Sequence, residues 1–369
     1  MLHKIKDKGL KWFWQRILRE YRNPSYSSVS KIVNSLLAIK RRIRSLVRSV
    51  KTDDQILYGI YDLEICDITY NFGIFLIALE LESLMRKKKG FVVIIVPAMN
   101  DEGSLLRWNE YNEKIDLDSR EWRFNNIIMQ LMPLSRKCLG YYKMPDRQKI
   151  TEFIQGHDVY PDLYDGVNLR KVDLTEVLFG KLNRNDLVDG LQSSNQGRKY
   201  INQWIRENSL EGEIITITIR NSAFDIGRNS NTEEWIKFAT YLKSNGYCPV
   251  FIPDTDDAFS GIHFSSDYIF LRECCWNMGL RVALYERAHL NFFGNNGCVV
   301  LAMFNRNINY ILMNGLPENS LVVNKDVLKE VGMLNIDRYK FSTTKQKLCF
   351  KSDSFENIKE EFLKFETVL

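Results

Sequence analysis

Hydrophobic positions along the chain change their spacing several times, and each change marks an element. Leu10, Phe13, Trp14, Ile17, Leu18 and Tyr21 form one helical stripe, with Lys8, Lys11, Arg16, Arg19 and Arg22 on the other faces. Asn23-Pro24-Ser25 breaks the pattern. A second stripe follows (Val29, Ile32, Val33, Leu36, Leu37, Ile43, Leu46, Val47, Val50), flanked by Lys40, Arg41, Arg42, Arg44 and Arg48. From there the spacing changes. Gln55–Cys66 predicts a strand, Phe72–Arg86 an apolar helix, and Phe91–Pro97 a continuous apolar strand of the kind a parallel sheet buries. Residues 157–161 read as a further strand-end loop, and the stretch from Trp108 to Gly156 is left unassigned.

The pattern then restarts. A helix is expected over 195–209, a strand over Glu213–Ile219, and a helix over Thr232–Ser244 with Glu233 and Glu234 in its first turn and Asn245-Gly246 as its stop. Tyr247–Ile252 predicts the next strand, Arg281–Ala288 a helix, Leu290–Phe293 a short strand and Gly294–Gly297 a tight turn. A helix begins again at Val299, and a last one spans Ser354–Phe365. Two successive strand–helix–strand series in 369 residues predict two Rossmann-like α/β domains facing across a cleft. The expected boundaries are 1–51 for a basic amphipathic helical leader, 52–194 for the first domain and 195–369 for the second.

Charge sharpens this division. Residues 1–51 hold 14 Lys/Arg against Asp7 and Glu20; set against the chain's net +5, a leader at +12 leaves −7 for the rest. Basic faces opposite Trp, Phe and Leu suit an anionic membrane surface. The same stripes would equally let a helical hairpin pack on the acidic body. Nucleic acid is not expected, because the aromatics lie on the apolar face and not among the bases. No apolar run approaches the roughly 20 residues of a spanning helix, and no signal-peptide core is present. The expected location is cytoplasmic, peripheral at the inner face of the membrane. Seven cysteines without CxxC spacing predict free thiols.

Candidate chemistry sits in the predicted strand-end loops, which line the ligand crevice of such folds. In the first domain these loops carry Asp67, Thr69, Tyr70 and Asn71, then Asp101, then His157 and Asp158. Asp67 is a candidate general base, although it, Thr69 or Asn71 could instead cap the following helix. In the second domain Arg220-Asn221 follows one strand, and Arg228-Asn229-Ser230-Asn231 precedes a helix. Asp254 ends the next strand, and Gly294-Asn295-Asn296-Gly297 forms the turn. Small residues before a helix let backbone N–H groups approach phosphate, and two arginines add bidentate contacts. Turns also need Gly and Asn for positive φ whatever they bind.

These residues, taken in order, resemble the GT-B glycosyltransferases. The run Arg220…Arg228-Asn-Ser-Asn…Trp235…Phe238-Ala239…Leu242…Gly246-Tyr247…Pro249-Val250 is similar to the opening of the nucleotide-sugar half in the ADP-heptose transferase group. Ala283-Leu284-Tyr285-Glu286-Arg287-Ala288…Gly294–Gly297…Leu301-Ala302 resembles that group's helix and Asp-Thr-Gly-type turn under the donor phosphates. Cys66-Asp67-Ile68 resembles the loop bearing its catalytic aspartate. Tyr61-Asp62…Thr69-Tyr70-Asn71-Phe72 is similar to a pattern in bacterial surface-polysaccharide proteins. The chain departs from the group at Asn295, where an aspartate is expected, and at Arg228, where a lysine is.

The resemblance implies transfer of a sugar from a nucleotide-activated donor to a lipid-linked or cell-surface glycan acceptor, with no cofactor. Asp67 would act as base, and Arg220, Arg228, Tyr285, Glu286 and the Asn295–Gly297 turn would lie at the donor. An epimerase-like nucleotide-sugar enzyme and a non-catalytic membrane-associated subunit are the alternatives. Asp254-Thr255-Asp256 matches the metal-binding DxD of GT-A enzymes, but the two-half plan favours a metal-independent site with Asp254 near ribose or base. The four histidines have no zinc-like spacing, and no GxSxG or P-loop sequence occurs.

Overall fold

The computed structural model describes residues 55–99, 115–181, 189–260, 267–317, 320, 323–334 and 336–367. The basic leader and Asp101 lie outside these residues. The described residues form two compact units, each α/β. Unit 1 comprises the described parts of Met1–Cys66, Leu79–Arg107 and Leu139–Val172; unit 2 comprises those of Asp67–Ala78, Trp108–Cys138 and Asp173–Leu369. No helix among the described residues is long and apolar enough to cross a membrane. All seven cysteines are free thiols, and five of them are buried.

In unit 1, β1 (Ile56–Asp62), β2 (Gly90–Val96), β3 (Cys138–Lys143) and β4 (Val159–Tyr160) form a sheet in the order β3-β2-β1-β4. β1 is parallel to both neighbours, with Ile56 opposite Gly90 and Tyr58 opposite Val159. β1 stops at Asp62, short of the expected Cys66, because Asp62 turns the chain. Its carboxylate accepts from Glu64 N at 2.9 Å and its carbonyl from Cys66 N at 2.8 Å. Residues 157–161, read as loop, contain β4; only two residues pair, too few for an alternating pattern to register.

The helix Asn71–Met85 is buried nearly all round, which is why its sequence reads as apolar without a clear face. It even buries Glu82, which Arg86 Nε contacts at 2.7 Å.

Unit 2 has six strands: β5 (Ile214–Thr218), β6 (Cys248–Ile252), β7 (Ile269–Phe270), β8 (Leu290–Phe293), β9 (Tyr310–Leu312) and β10 (Gln346–Leu348). Their order is β10-β9-β8-β5-β6-β7, and every adjacent pair is parallel. The chain therefore runs outward from β5 on one side and returns to lay β8 on the other. That reversal is where open α/β sheets bind ligands, outside the strands' carboxyl ends.

One face is covered by the helix Thr232–Ser244, whose Trp235, Phe238, Ala239 and Leu242 are buried. Its stop is the expected one: Gly246 follows the cap at φ +82°, a conformation that costs glycine little. The last helix, Phe355–Glu366, docks beside it through Ile358, Phe362 and Phe365, and the rings of Phe238 and Phe362 lie 5.7 Å apart edge to face. Asp353 fixes the junction, accepting from Trp235 Nε1 and Asn231 N, both at 2.9 Å.

Candidate anion-binding site

A cavity of about 230 Å³ lies in unit 2 at the carboxyl ends of β5, β6 and β8. Its walls come from the residues that follow those strands (Ile219-Arg220, Pro253-Asp254-Thr255 and Asn296-Gly297-Cys298), from the loop holding Asp67, Thr69, Tyr70 and Asn71, and from Arg123, Ile127, Arg228 and Arg281. Of the residues expected on the acceptor side of the first domain (Asp67, Thr69, Tyr70, Asn71) and at the donor in the second (Arg220, Arg228, Asp254, Asn296, Gly297), all line this one cavity. Four guanidinium groups face two carboxylates there, Asp67 and Asp254.

The arginines are not equivalent. Arg220 is buried and spends itself within its own loop: Nη1 donates to Asp225 O at 3.0 Å and to Asn229 Oδ1, and Nη2 to Phe224 O. It is a brace. The loop it holds turns at Asp225, with φ +55°, a conformation that aspartate tolerates better than most side chains.

Arg228 is steered by the Gly/Asn turn, Nε donating to Asn295 Oδ1 at 3.0 Å and to Asn295 O at 3.2 Å. Its nearest carboxylate oxygen, on Asp225, is 3.9 Å away. Its two Nη groups have no partner among the described residues. Burial, then the neighbouring Arg220 charge, push its pKa down. The Asp225 carboxylate pulls the other way and does not outweigh them. The guanidinium of Arg123 has no hydrogen-bond or ion-pair partner among the described residues either. Arg281 is buried, and among the described residues its guanidinium donates to two phenols, Tyr285 Oη at 2.9 Å and Tyr70 Oη at 3.2 Å.

The remaining wall residues set this frame. Asp254 Oδ2 accepts from Asn221 N at 3.0 Å and Oδ1 from Thr255 N at 2.7 Å, and its carbonyl accepts from Ala258 N at 3.0 Å, so it stands at the start of the helix Thr255–Ser260 where a polar strand-end loop was expected. Asn296 donates through Nδ2 to Thr218 O at 3.4 Å, while its Oδ1 is buried without a partner among the described residues. A Cβ on Gly297 would stand 3.2 Å from the Tyr70 side chain, so glycine lets the turn approach that ring. At the other loop Thr69 helps start the helix, its Oγ1 accepting from Asn71 N at 3.3 Å and its carbonyl from Phe72 N at 3.1 Å.

Other expected site residues stand behind the wall or away from it. Asn221 positions Asp254, Asn295 positions Arg228, and Asn229 and Ser230 brace Arg220. Gly294 packs on Ser230, and Asn231 is tied to Asp353. Tyr285 lies beneath Arg281 with its hydroxyl 2.9 Å from Thr218 Oγ1. Glu286 is turned away: it accepts from Ser193 N at 3.0 Å and Asn305 Nδ2 at 2.9 Å. Five residues after Arg281 it points about 140° round the same helix. In unit 1, His157 bonds Phe153 O at 2.7 Å and stacks on that ring, and Asp158 pairs with Arg86 and Lys88.

Sequence reading missed Arg123, Arg281 and Cys298. A signal for Arg281 existed: it sits on the stripe of Met278, Val282 and Tyr285, where a charge has no business unless it is used. Arg123 falls in the unassigned stretch. Among the described residues no group of three His, Cys, Asp or Glu is arranged to hold a metal ion.

No protein-family model and no curated protein matches the chain. Among solved structures it is similar to the ADP-heptose LPS heptosyltransferase II of E. coli, at 10% identity over 84% of this chain and 98% of that one, TM-score 0.48. It is also similar to a family 9 glycosyl transferase from Veillonella parvula, at 11% identity, 84% and 89% coverage and TM-score 0.48. A third is the E. coli heptosyltransferase WaaC with ADP, at 11% identity, 84% and 99% coverage and TM-score 0.38. At such identities the likeness assigns no activity.

Proposed function

We propose that the protein is a glycosyltransferase that takes a sugar from a nucleotide diphosphate donor and passes it to a lipid-linked or cell-surface glycan acceptor. One observation carries this reading: a cavity at the carboxyl ends of β5, β6 and β8 holds guanidinium groups with unspent N–H donors and a carboxylate, Asp67, in the same wall. The wall has two more arginines than aspartates, which suits the two negative charges of a sugar-linked diphosphate.

In the proposed reaction Asp67 takes the proton of the acceptor hydroxyl, and that oxygen bonds to the anomeric carbon. The bond from that carbon to the diphosphate oxygen breaks, and its electron pair leaves with the diphosphate. Arg228 and the Asn295–Gly297 turn stabilise the charge that develops. The arginines supply the positive charge that a divalent cation would otherwise bring, so turnover is expected to persist in EDTA. Residues 1–51 are proposed to hold the protein at an anionic membrane surface, at the inner face.

A thermal-shift screen of nucleoside diphosphates identifies the donor nucleotide, and Asp67→Asn tests the chemistry. With donor and acceptor in hand, the variant is expected to keep its fold and donor affinity and to lose about 10²–10⁴-fold in turnover. Near-normal turnover would remove Asp67 from the mechanism.

A further inference from the structure

Arg281 pairs with no carboxylate among the described residues. It is 3% exposed and lies on the buried stripe of the helix Met278–Arg287. Nε donates to Tyr285 Oη and Nη1 to Tyr70 Oη, and Nη2 has no partner among the described residues. Burial pushes both phenols up, so they stay neutral, and it does the same to the neighbouring thiols of Cys298 and Cys275. Burial alone would pull the Arg281 pKa down, but these groups hold it above the ordinary guanidinium value, so the cation persists. Neutral oxygens can accept from a guanidinium but cannot cancel its charge. A desolvated cation without a counter-ion is expensive to keep. In the same wall, Asn296 Oδ1 is buried without a partner among the described residues.

We propose that Arg281 is the fixed receptor for one phosphate group of the ligand, which supplies the missing counter-ion, and that Tyr70 joins this seat to the Asp67 loop. The inference rests on the reading of the cavity as a diphosphate site, and it adds the residue that makes phosphate obligatory. Tyr70 stands three positions after Asp67 and touches Arg281 directly. A phosphate seated on Arg281 therefore meets the hydroxyl that anchors the loop bearing the base.

The test uses the full chain, Arg281→Met and Arg281→Lys, with inorganic pyrophosphate as the probe. If the charge is unbalanced in the free protein, Arg281→Met melts at the same temperature as the parent or higher. Its pyrophosphate affinity, read by calorimetry, falls by about tenfold or more. Arg281→Lys regains part of that loss. Cys298 lines the same cavity, so pyrophosphate should slow its alkylation by iodoacetamide, followed by peptide mapping, in the parent and not in Arg281→Met.

A lower melting temperature with unchanged pyrophosphate affinity would make Arg281 a structural brace and overturn the proposal. If the methionine variant does not fold, the parent decides: alkylation of Cys298 at an unchanged rate under saturating pyrophosphate overturns it as well. Arg281-dependent pyrophosphate binding in a protein that transfers no sugar would sink the glycosyl-transfer reading and leave this one standing. Transfer at the parental rate by Arg281→Met would do the reverse.

Discussion

Both units place charge near the carboxyl ends of parallel strands, and they use it in opposite ways. In unit 1, Asp62 ends β1 fully buried and receives Arg147 Nη1 at 3.0 Å, Arg147 Nη2, the Tyr164 hydroxyl and Glu64 N at 2.9 Å. Burial and the carboxylate push the Tyr164 phenol far up, so it remains a donor. Asp62 and Arg147 complement each other inside the chain. In unit 2 the surplus runs the other way: Arg123, Arg228 and Arg281 offer donors for which the described residues hold no carboxylate at hydrogen-bond distance. Position at a strand end does not make a site. Unspent charge does.

The comparison breaks most easily at Asp62. Asp62→Ala takes from Arg147 its buried carboxylate partner, and stripping one partner from a buried pair costs about 3–5 kcal/mol. Arg147 is 15% exposed and can draw in some water, so the lower end of that range is expected in urea denaturation. A loss below about 1 kcal/mol would mean that the network is not closed. The sign contrasts with Arg281→Met, where deleting a buried charge should not destabilise the free protein.

Arg228→Ala tests the open side with a smaller effect. A charged hydrogen bond to phosphate is worth about 1.5–3 kcal/mol, so about tenfold or more in nucleoside diphosphate affinity should vanish while nucleoside affinity holds. Calorimetry with both ligands reads this directly. Equal losses for the two would place Arg228 away from the phosphates.

The smallest effect is expected where the charge is balanced but half in water. Burial alone would raise the Glu361 pKa, but its hydrogen bonds from Lys347 and Lys364 outweigh that and hold it below the usual carboxylate range. A depressed carboxylate adds stability above its unfolded pKa of about 4.3 and loses it as pH falls through the folded value. Glu361→Gln should therefore flatten the acid limb of the stability curve by less than about 1 kcal/mol, because Lys364 is 52% exposed and screened. An unchanged acid limb would show that the lysines do not hold the carboxylate in solution.

Local pattern determined much of this protein. The helix Thr232–Ser244, the strand Leu290–Phe293 and the docking of the last helix were legible because each rests on short-range chemistry: an apolar face, a cap, a Gly stop, a run of bulky residues. The strand-end loops were legible for the same reason, and with them Asp67, Arg220, Arg228 and the Asn295–Gly297 turn. Tertiary structure alone decided what each of these charges does. Arg220 and Arg228 are eight residues apart and look alike in sequence, yet one is consumed by its own loop and the other is aimed by Asn295 from a distant turn. Arg281 became a site residue only when the fold laid it beside Tyr70, 211 positions away, with no carboxylate between them. Whether a charge is spent depends on partners brought from elsewhere in the chain, and no local spacing records them.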